Sequence, residues 1–419
     1  MKSLVEESFN KGRKAEEEGR LEEACMLFKK AVQANSANPE FWLSYLDILV
    51  RLGRISEARK VLDRLSEKGA RGKRLDSIRQ RISSLEPSSE QTQRLISLHG
   101  QRKYKEALNQ TEDLLRRFPF SAKLNNIQGI LRTDLKNFEG AVSSFERAIE
   151  INPDYAQAYN NMGNAFKDEG KLEAARDSYN KALNIRPDYF EAHMNTGNAL
   201  RQMGQVDDAI KSYERAREIN PDAIDPPLYI AALFQKVQPH VAIENYKEVL
   251  RSNPEHLAAN FNLGVVLLEL GRLEDAEISF GKAIELKPGY FEALVNLGVI
   301  LKRQDKLDEA ARTFEAAAKE NSSSAEVYYN LGIVQKDLGL LEEAEASYIK
   351  AVKIKPDYAA AKSNLGWVYH EIGDYEKAKI AHEQALELDP KMHKLGLSLA
   401  LQGLKKYEQA IDVLTLRVA

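Results

Sequence analysis

The sequence contains a single cysteine, Cys25, among 419 residues. One cysteine excludes an intrachain disulfide framework and is typical of a protein in a reducing compartment. Cys25 lies in the apolar-patterned segment 24–28, which favours a core residue over a reactive thiol. Charge of either sign is not in excess, because 63 acidic residues face 60 basic ones, whereas chains that bind nucleic acid usually have a clear basic excess. We therefore expect a cytoplasmic protein that does not bind nucleic acid.

Long apolar segments and recognisable catalytic motifs are also missing. Residues 1–7 lack the apolar stretch of a signal peptide, and no run approaches the length of a membrane helix. The seven histidines are scattered without metal-ligand spacing, and the chain has no P-loop, dinucleotide glycine fingerprint or G-x-S-x-G sequence. We expect neither membrane association nor catalysis by this chain, and no cofactor or metal.

Proline, by contrast, recurs at a fixed interval over most of the chain. The spacing is 34 residues, apart from one interval of 33 and one of 68. The prolines concerned are Pro119, Pro153, Pro187, Pro221, Pro254, Pro288, Pro356 and Pro390. Self-similarity at such a period indicates a stacked repeat array, in which each unit packs only on its neighbours. Such an array offers a long surface of equivalent positions and no single deep active site.

The segment 156–189 shows the pattern of one repeat, with Ala156 as position 1. Four residues of its first half share one helical face: Tyr159, Met162, Gly163 and Phe166. Three residues of its second half share another: Ala175, Tyr179 and Ala182. Gly170 is expected to end the first helix and Pro187 the second. Each unit is therefore predicted to be a helix, a tight turn and an antiparallel helix, with Gly163 permitting their close approach and Tyr179 filling the space between them.

The same residue types recur at the same positions of the other units. Position 8 carries Gly129, Gly163, Gly197, Gly264, Gly298, Gly332 and Gly366. Position 20 carries Ala141, Ala175, Ala209, Ala242, Ala276, Ala310, Ala344 and Ala378. Position 24 carries Phe145, Tyr179, Tyr213, Tyr246, Phe280, Phe314 and Tyr348, and then His382. This pattern resembles the tetratricopeptide repeat (TPR) family. The resemblance implies an all-α fold, an α-solenoid in which antiparallel helix pairs form a right-handed superhelix.

The regularity of the units divides the chain into six segments. The predicted segments are two N-terminal repeats (5–72), an irregular extra helix or linker (73–87), an array whose first unit is degenerate (88–222), a degenerate repeat or bend (223–256), a second array (257–392) and a partial or terminal repeat (393–419). For 223–256 a locally shortened helix without functional meaning is an equally good interpretation.

Asparagine repeats at position 6, on the face of the first helix opposite to the signature residues. These residues, here called the amide row, are Asn161, Asn195, Asn262, Asn296, Asn330 and Asn364. In the TPR family this face lines the concave inner surface. Asparagine is a mediocre helix former, and its amide offers both donors and an acceptor, as an extended peptide backbone requires. At about 1 kcal/mol per hydrogen bond, six contacts give a dissociation constant on the order of tens of micromolar before ordering costs. The alternative is that these amides bond to the adjacent repeat's backbone and stabilise the stack.

Other residues of the same face are candidates for selectivity. Position 12 provides a basic row of Lys167, Arg201, Lys302 and Lys336, with His370 as a fifth member. Acidic residues follow several of them, so the row is either an ordinary solvated surface or a groove that prefers acidic side chains. Phe261, Tyr329 and Trp367 are candidate apolar anchors for a bound peptide.

The expected function is therefore a non-catalytic scaffold that binds an extended segment of a protein or peptide partner in the concave groove. The alternative is the substrate-recognition arm of a larger enzyme, since the amide row resembles that of the TPR arm in protein O-GlcNAc transferases. No unit has the lysine at position 5 that chaperone-binding TPR clamps require. The apolar segment 413–419 predicts a partner, self-association through this end, or a longer natural chain.

Overall fold

The described residues of the chain are all helical or in connecting turns. The computed structural model describes residues 2–391 and 393–415, with the side chains of 2–5, 56 and 415 left aside. Within these residues there are 25 helices and no strand. The chain forms two compact units, Met1–Pro221 and Asp222–Ala419. The end of the predicted apolar C-terminal segment, 416–419, lies outside the described residues.

The first unit contains thirteen helices, most of which pack in sequential pairs. They are α1 Lys2–Glu17, α2 Leu21–Ala34, α3 Pro39–Arg51, α4 Ile55–Glu67, α5 Lys73–Ser84, α6 Ser89–Gly100, α7 Tyr104–Arg117, α8 Ala122–Asp134, α9 Phe138–Ile151, α10 Ala156–Asp168, α11 Leu172–Ile185, α12 Phe190–Gln202 and α13 Val206–Ile219.

The second unit contains twelve helices with the same pairwise packing. They are α14 Asp225–Phe234, α15 Pro239–Ser252, α16 Leu257–Glu269, α17 Leu273–Leu286, α18 Phe291–Arg303, α19 Leu307–Glu320, α20 Ala325–Asp337, α21 Leu341–Ile354, α22 Ala359–Ile372, α23 Tyr375–Leu388, α24 Leu395–Gly403 and α25 Tyr407–Thr415.

The pair α10 and α11 shows why the sequence folds in this way. Gly170 has φ of +88° in the turn between the two helices, a conformation that glycine adopts without steric cost. A Cβ atom at Gly163 would lie 2.4 Å from Cε1 of Tyr179, so the two helices approach as closely as the glycine allows. The Tyr179 ring is fully buried, and α11 ends at Ile185, two residues before Pro187. The predicted solenoid of antiparallel helix pairs is confirmed.

Position 24 also introduces a polar group into the core. The Tyr179 hydroxyl donates to Oδ1 of Asn164 over 2.8 Å, and Tyr213 donates to Asn198 over 2.9 Å in the next repeat. Burial raises the pKa of the Tyr179 hydroxyl above its usual range, so this hydroxyl stays protonated and donates its hydrogen bond.

The first helices of successive repeats form the inner layer of each unit. In the first unit α8 contacts α10, and α10 contacts α12; in the second unit α16, α18, α20 and α22 form a similar series. Successive second helices do not approach each other as closely. Because the first helices are closer together than the second ones, each array curves with its first helices on the inside.

Two segments depart from the regular pair. α5 is a helix inside the predicted irregular segment 73–87, and it buries Leu75 and Ile78 against α3 and α4. α14 has 10 residues, whereas α12 and α16 have 13, and two prolines occupy its first turn. The first helix of 223–256 is therefore short, and the interpretation of this segment as a degenerate repeat or bend stays a prediction.

Candidate functional site

The amide row lies on the first helices, one residue per repeat. Asn161 and Asn195 belong to α10 and α12 of the first unit, and the other four belong to α16, α18, α20 and α22 of the second. All six side chains are half-buried. They are therefore neither fully turned out to water nor sealed inside the stack.

In the first unit the amide row connects adjacent repeats. Nδ2 of Asn161 donates to Oδ1 of Asn126 over 3.0 Å, and Nδ2 of Asn195 donates to Oδ1 of Asn160 over 3.0 Å. Both acceptors are buried and lie at position 5 of the preceding repeat. These two amides thus bond to the adjacent repeat, as in the stack-stabilising alternative, but their partners are side chains and not the predicted backbone groups.

The same two asparagines border an open cleft of about 360 Å³. Lys167 of the basic row also lines this cleft. Two further lining residues, His99 and Asp134, were not predicted from the sequence. Their Nε2 and Oδ2 atoms lie 2.8 Å apart. His99 belongs to the repeat 88–121, which keeps few signature residues, so its inner-face position was not evident from the pattern.

In the second unit the amides have varied partners. Asn364 donates to the Tyr348 hydroxyl over 3.4 Å, and Asn262 is hydrogen-bonded to the Tyr246 hydroxyl. Asn330 donates to the backbone oxygen of Glu326 over 3.1 Å in its own helix. Among the described residues, Asn296 makes no side-chain hydrogen bond.

These bonds leave hydrogen-bonding capacity on the amide row. An asparagine amide has two N–H donors and an oxygen with two acceptor sites. The bonds to the described residues use one N–H at Asn161, Asn195, Asn330 and Asn364. The second N–H at each of these residues, and the whole amide of Asn296, make no bond to the described residues.

The basic row is closely associated with both acids and amides. Nζ of Lys302 donates to Oδ1 of Asn330 over 3.4 Å, which joins the two rows. Lys167 and Lys336 lie 3.7 Å and 3.8 Å from the carboxylates of Asp168 and Asp337 that follow them. Their charge is therefore partly neutralised.

Two members of the basic row remain. Arg201 is exposed, and His370 is half-buried with its ring 6.1 Å from that of Trp367. The position of Arg201 on α12 is the same as that of Lys167 on α10.

The side chains of the three candidate aromatic anchors are half-buried against other residues of the stacked repeats. The ring of Phe261 lies 4.8 Å from that of Tyr290, and the ring of Tyr329 lies 4.9 Å from that of Tyr358. In both cases the partner is the last residue of the same repeat. Each of the three side chains is partly exposed.

Trp367 packs in a different way, against the only histidine at position 24. The Trp367 and His382 rings meet edge to face at 5.4 Å and 78°. His382 is 3% exposed, and its Nε2 has no hydrogen-bond partner among the described residues. Burial, with a smaller contribution from His370, lowers the pKa of His382 to about 4.

The described residues contain neither a metal-binding cluster nor a helix suited to a membrane. Across 2–391 and 393–415, no three His, Cys, Asp or Glu residues are grouped so that they could hold a metal ion. No described helix combines the length and apolar character needed to cross a bilayer.

Sequence models of one family match most of the chain. Models described as "Tetratricopeptide repeat" match residues 15–82, 190–223, 232–291, 292–324 and 323–391, and one described as "TPR repeat" matches 129–169 and 163–200. The chain belongs to the tetratricopeptide repeat family. A comparison with curated proteins finds no significant match.

Solved TPR structures resemble parts of this TPR chain. A crystal structure of MamA is 29% identical, with 39% of this chain and 95% of MamA covered and a TM-score of 0.38. A TPR protein from Parabacteroides merdae is 21% identical, with 59% and 98% covered and a TM-score of 0.41. YrrB, described as a TPR protein with an unusual peptide-binding site, is 25% identical, with 52% and 96% covered and a TM-score of 0.31.

Proposed function

We propose that this TPR protein is an interaction scaffold that binds an extended segment of a partner protein along the amide row. The family supports a protein-interaction scaffold. The observation that carries the finer proposal is a half-buried amide with an unused N–H on successive first helices. A donor and an acceptor on each amide match the N–H and C=O groups of a peptide backbone.

The spacing of the repeats sets the expected length of the bound segment. Packed helices lie about 10 Å apart, and an extended chain rises about 3.3 Å per residue. One amide per repeat therefore meets about every third residue of the peptide. The four amides of the second unit would engage a segment of roughly ten residues.

Side chains beside the amides provide the proposed selectivity. The partly exposed side chains of Phe261, Tyr329 and Trp367 offer apolar contacts, and Lys302 adds a positive charge next to Asn330. In the first unit, the cleft that Asn161 and Asn195 border would accept a second segment of the same kind.

Changing Asn262, Asn296, Asn330 and Asn364 together to alanine is expected to weaken peptide binding about thirtyfold. The reason is that each amide contributes about 0.5 kcal/mol, at the low end for a hydrogen bond because part of its capacity is already used. The probe is an extended peptide selected on the full chain from a random displayed library, and its affinity is measured by fluorescence anisotropy.

The matched control for this variant changes four asparagines that lie away from the inner face: Asn109, Asn180, Asn220 and Asn321. It should bind as the unchanged protein does. Helical circular dichroism of both variants should equal that of the parent chain. Equal affinity of the amide-row variant and its control would refute the proposed peptide contact.

A further inference from the structure

A groove of about 830 Å³ opens on the outer side of the second unit, away from the amide row. Its walls are the second helices α17 and α19, and its floor is the first helix α18, through Leu294, Leu297 and Leu301. Ile278 lies on its wall and is 72% exposed. The lining is therefore largely apolar, and its size is within the range of ligand-binding clefts.

Two small residues explain why the groove is open at this place. Gly281 of α17 and Ala316 of α19 both line it. Gly281 lies at position 25 of its repeat, where the other repeats from residue 122 onward carry Glu146, Asn180, Glu214, Lys247, Glu315, Ile349 and Glu383. Ala316 lies at position 26, where they carry Arg147, Lys181, Arg215, Glu248, Lys282, Lys350 and Gln384. Only between α17 and α19 do these two positions lack the long side chains that would extend over the floor.

The fold itself does not require this glycine. A Cβ atom at Gly281 would meet no atom within 4 Å, unlike a Cβ at the glycines of position 8. A mid-helix glycine costs about 1 kcal/mol relative to alanine. Gly281 therefore weakens α17 without relieving a clash with any neighbouring side chain. The space that the missing side chain leaves open lies in the groove.

One end of the groove carries excess negative charge. Lys306 is bonded to Glu277 over 2.8 Å and is also surrounded by Glu274 and Glu309. Three carboxylates thus face one ammonium group at the N-terminal ends of α17 and α19. The guanidinium of Arg312, which also lines the groove on α19, is the second cation there, so one negative charge is in excess. At the other end Lys282 pairs with Glu285 over 2.9 Å, so that end is nearly neutral.

We infer that this groove is a second docking site, which binds an amphipathic helix of a partner protein with basic residues at one end. The walls are helices whose backbone groups are already paired, so they offer an extended strand no partners for its N–H and C=O groups. A helix satisfies its own backbone and can place aliphatic side chains at i, i+4 and i+7 along the leucine floor. Lys or Arg at one end would meet the Glu274 and Glu309 carboxylates.

The test uses a fluorescent designed helix of about four turns, with leucine at i, i+4 and i+7 and lysine at one end. It should bind the full chain, and a peptide with glutamate in place of lysine should bind at least about tenfold more weakly. Gly281→Lys with Ala316→Lys should weaken binding of the lysine peptide at least about tenfold, since the new side chains cover the floor. Glu274→Gln with Glu309→Gln should remove most of the difference between the two peptides.

The amide-row variant separates this site from the proposed inner-face site. Helix binding should be unchanged in it, whereas binding of extended peptides falls. No binding of the lysine peptide at about 100 µM, or equal binding by the Gly281→Lys/Ala316→Lys variant, would overturn the inference. Concentration-dependent mass of the full chain in sedimentation that this variant abolishes would show a second copy as the occupant, and would also overturn it.

Discussion

Gly163→Leu is expected to destabilise the first unit by about 3 kcal/mol, at the upper end for overpacking of a buried site. The first atom of the new side chain would already lie 2.4 Å from the fully buried Tyr179 ring. The ring cannot move away freely, because its hydroxyl is held by Asn164 over 2.8 Å. The measurement is urea unfolding followed by helical circular dichroism.

Gly281→Leu is the matched control for this variant, because it makes the same substitution in the middle of another helix. A Cβ at Gly281 meets nothing within 4 Å, so the gain in helix propensity should stabilise the second unit by about 0.5–1 kcal/mol. Opposite signs for the two substitutions are expected. A similar small change in both would show that close helix approach at position 8 does not hold the pairs together.

Acidification is expected to destabilise the second unit through His382. The folded-state pKa of His382 is about 4, below the value near 6.5 of an unfolded histidine. The unfolded chain therefore takes up the proton first as the pH falls. The contribution of neutral His382 to the free energy of unfolding is complete above pH 6.5 and falls between pH 6.5 and pH 4. By pH 4 about 3 kcal/mol of this contribution is lost.

His382→Phe is the control for this dependence, since Phe280 and Phe314 occupy the same position in other repeats. Phenylalanine removes the titrating group and the unpaired Nε2 while it keeps an aromatic ring against Trp367. The difference in unfolding free energy between this variant and the parent should grow by about 3 kcal/mol from pH 7 to pH 4. A constant difference would contradict the burial of a neutral His382.

The fold followed from the sequence because one contact is repeated. The pairing of Gly163 with Tyr179 recurs as a glycine against an aromatic ring in each regular repeat, so its period predicts the helix pairs. The amide row was visible for the same reason, and its peptide-binding role stays a prediction.

The partners of the amide row could not be predicted from a single repeat. The bond of Asn161 to Asn126 joins neighbouring repeats, and it depends on how far one helix is displaced along the next.

The outer groove was missed for another reason. It is formed by what Gly281 and Ala316 lack, whereas a repeat pattern consists of residues that recur. A comparison of positions 25 and 26 across the repeats would have revealed it.

The most direct test of the amide row is a thermodynamic cycle with a peptide selected as described for the inner face. The peptide is methylated at every third backbone nitrogen, in register with the repeats, and its affinity is measured on the parent chain and on the variant with alanine at Asn262, Asn296, Asn330 and Asn364. Methylation should lower affinity about tenfold on the parent and at most about twofold on the variant. Equal losses on the two proteins would contradict recognition of the peptide backbone by these amides.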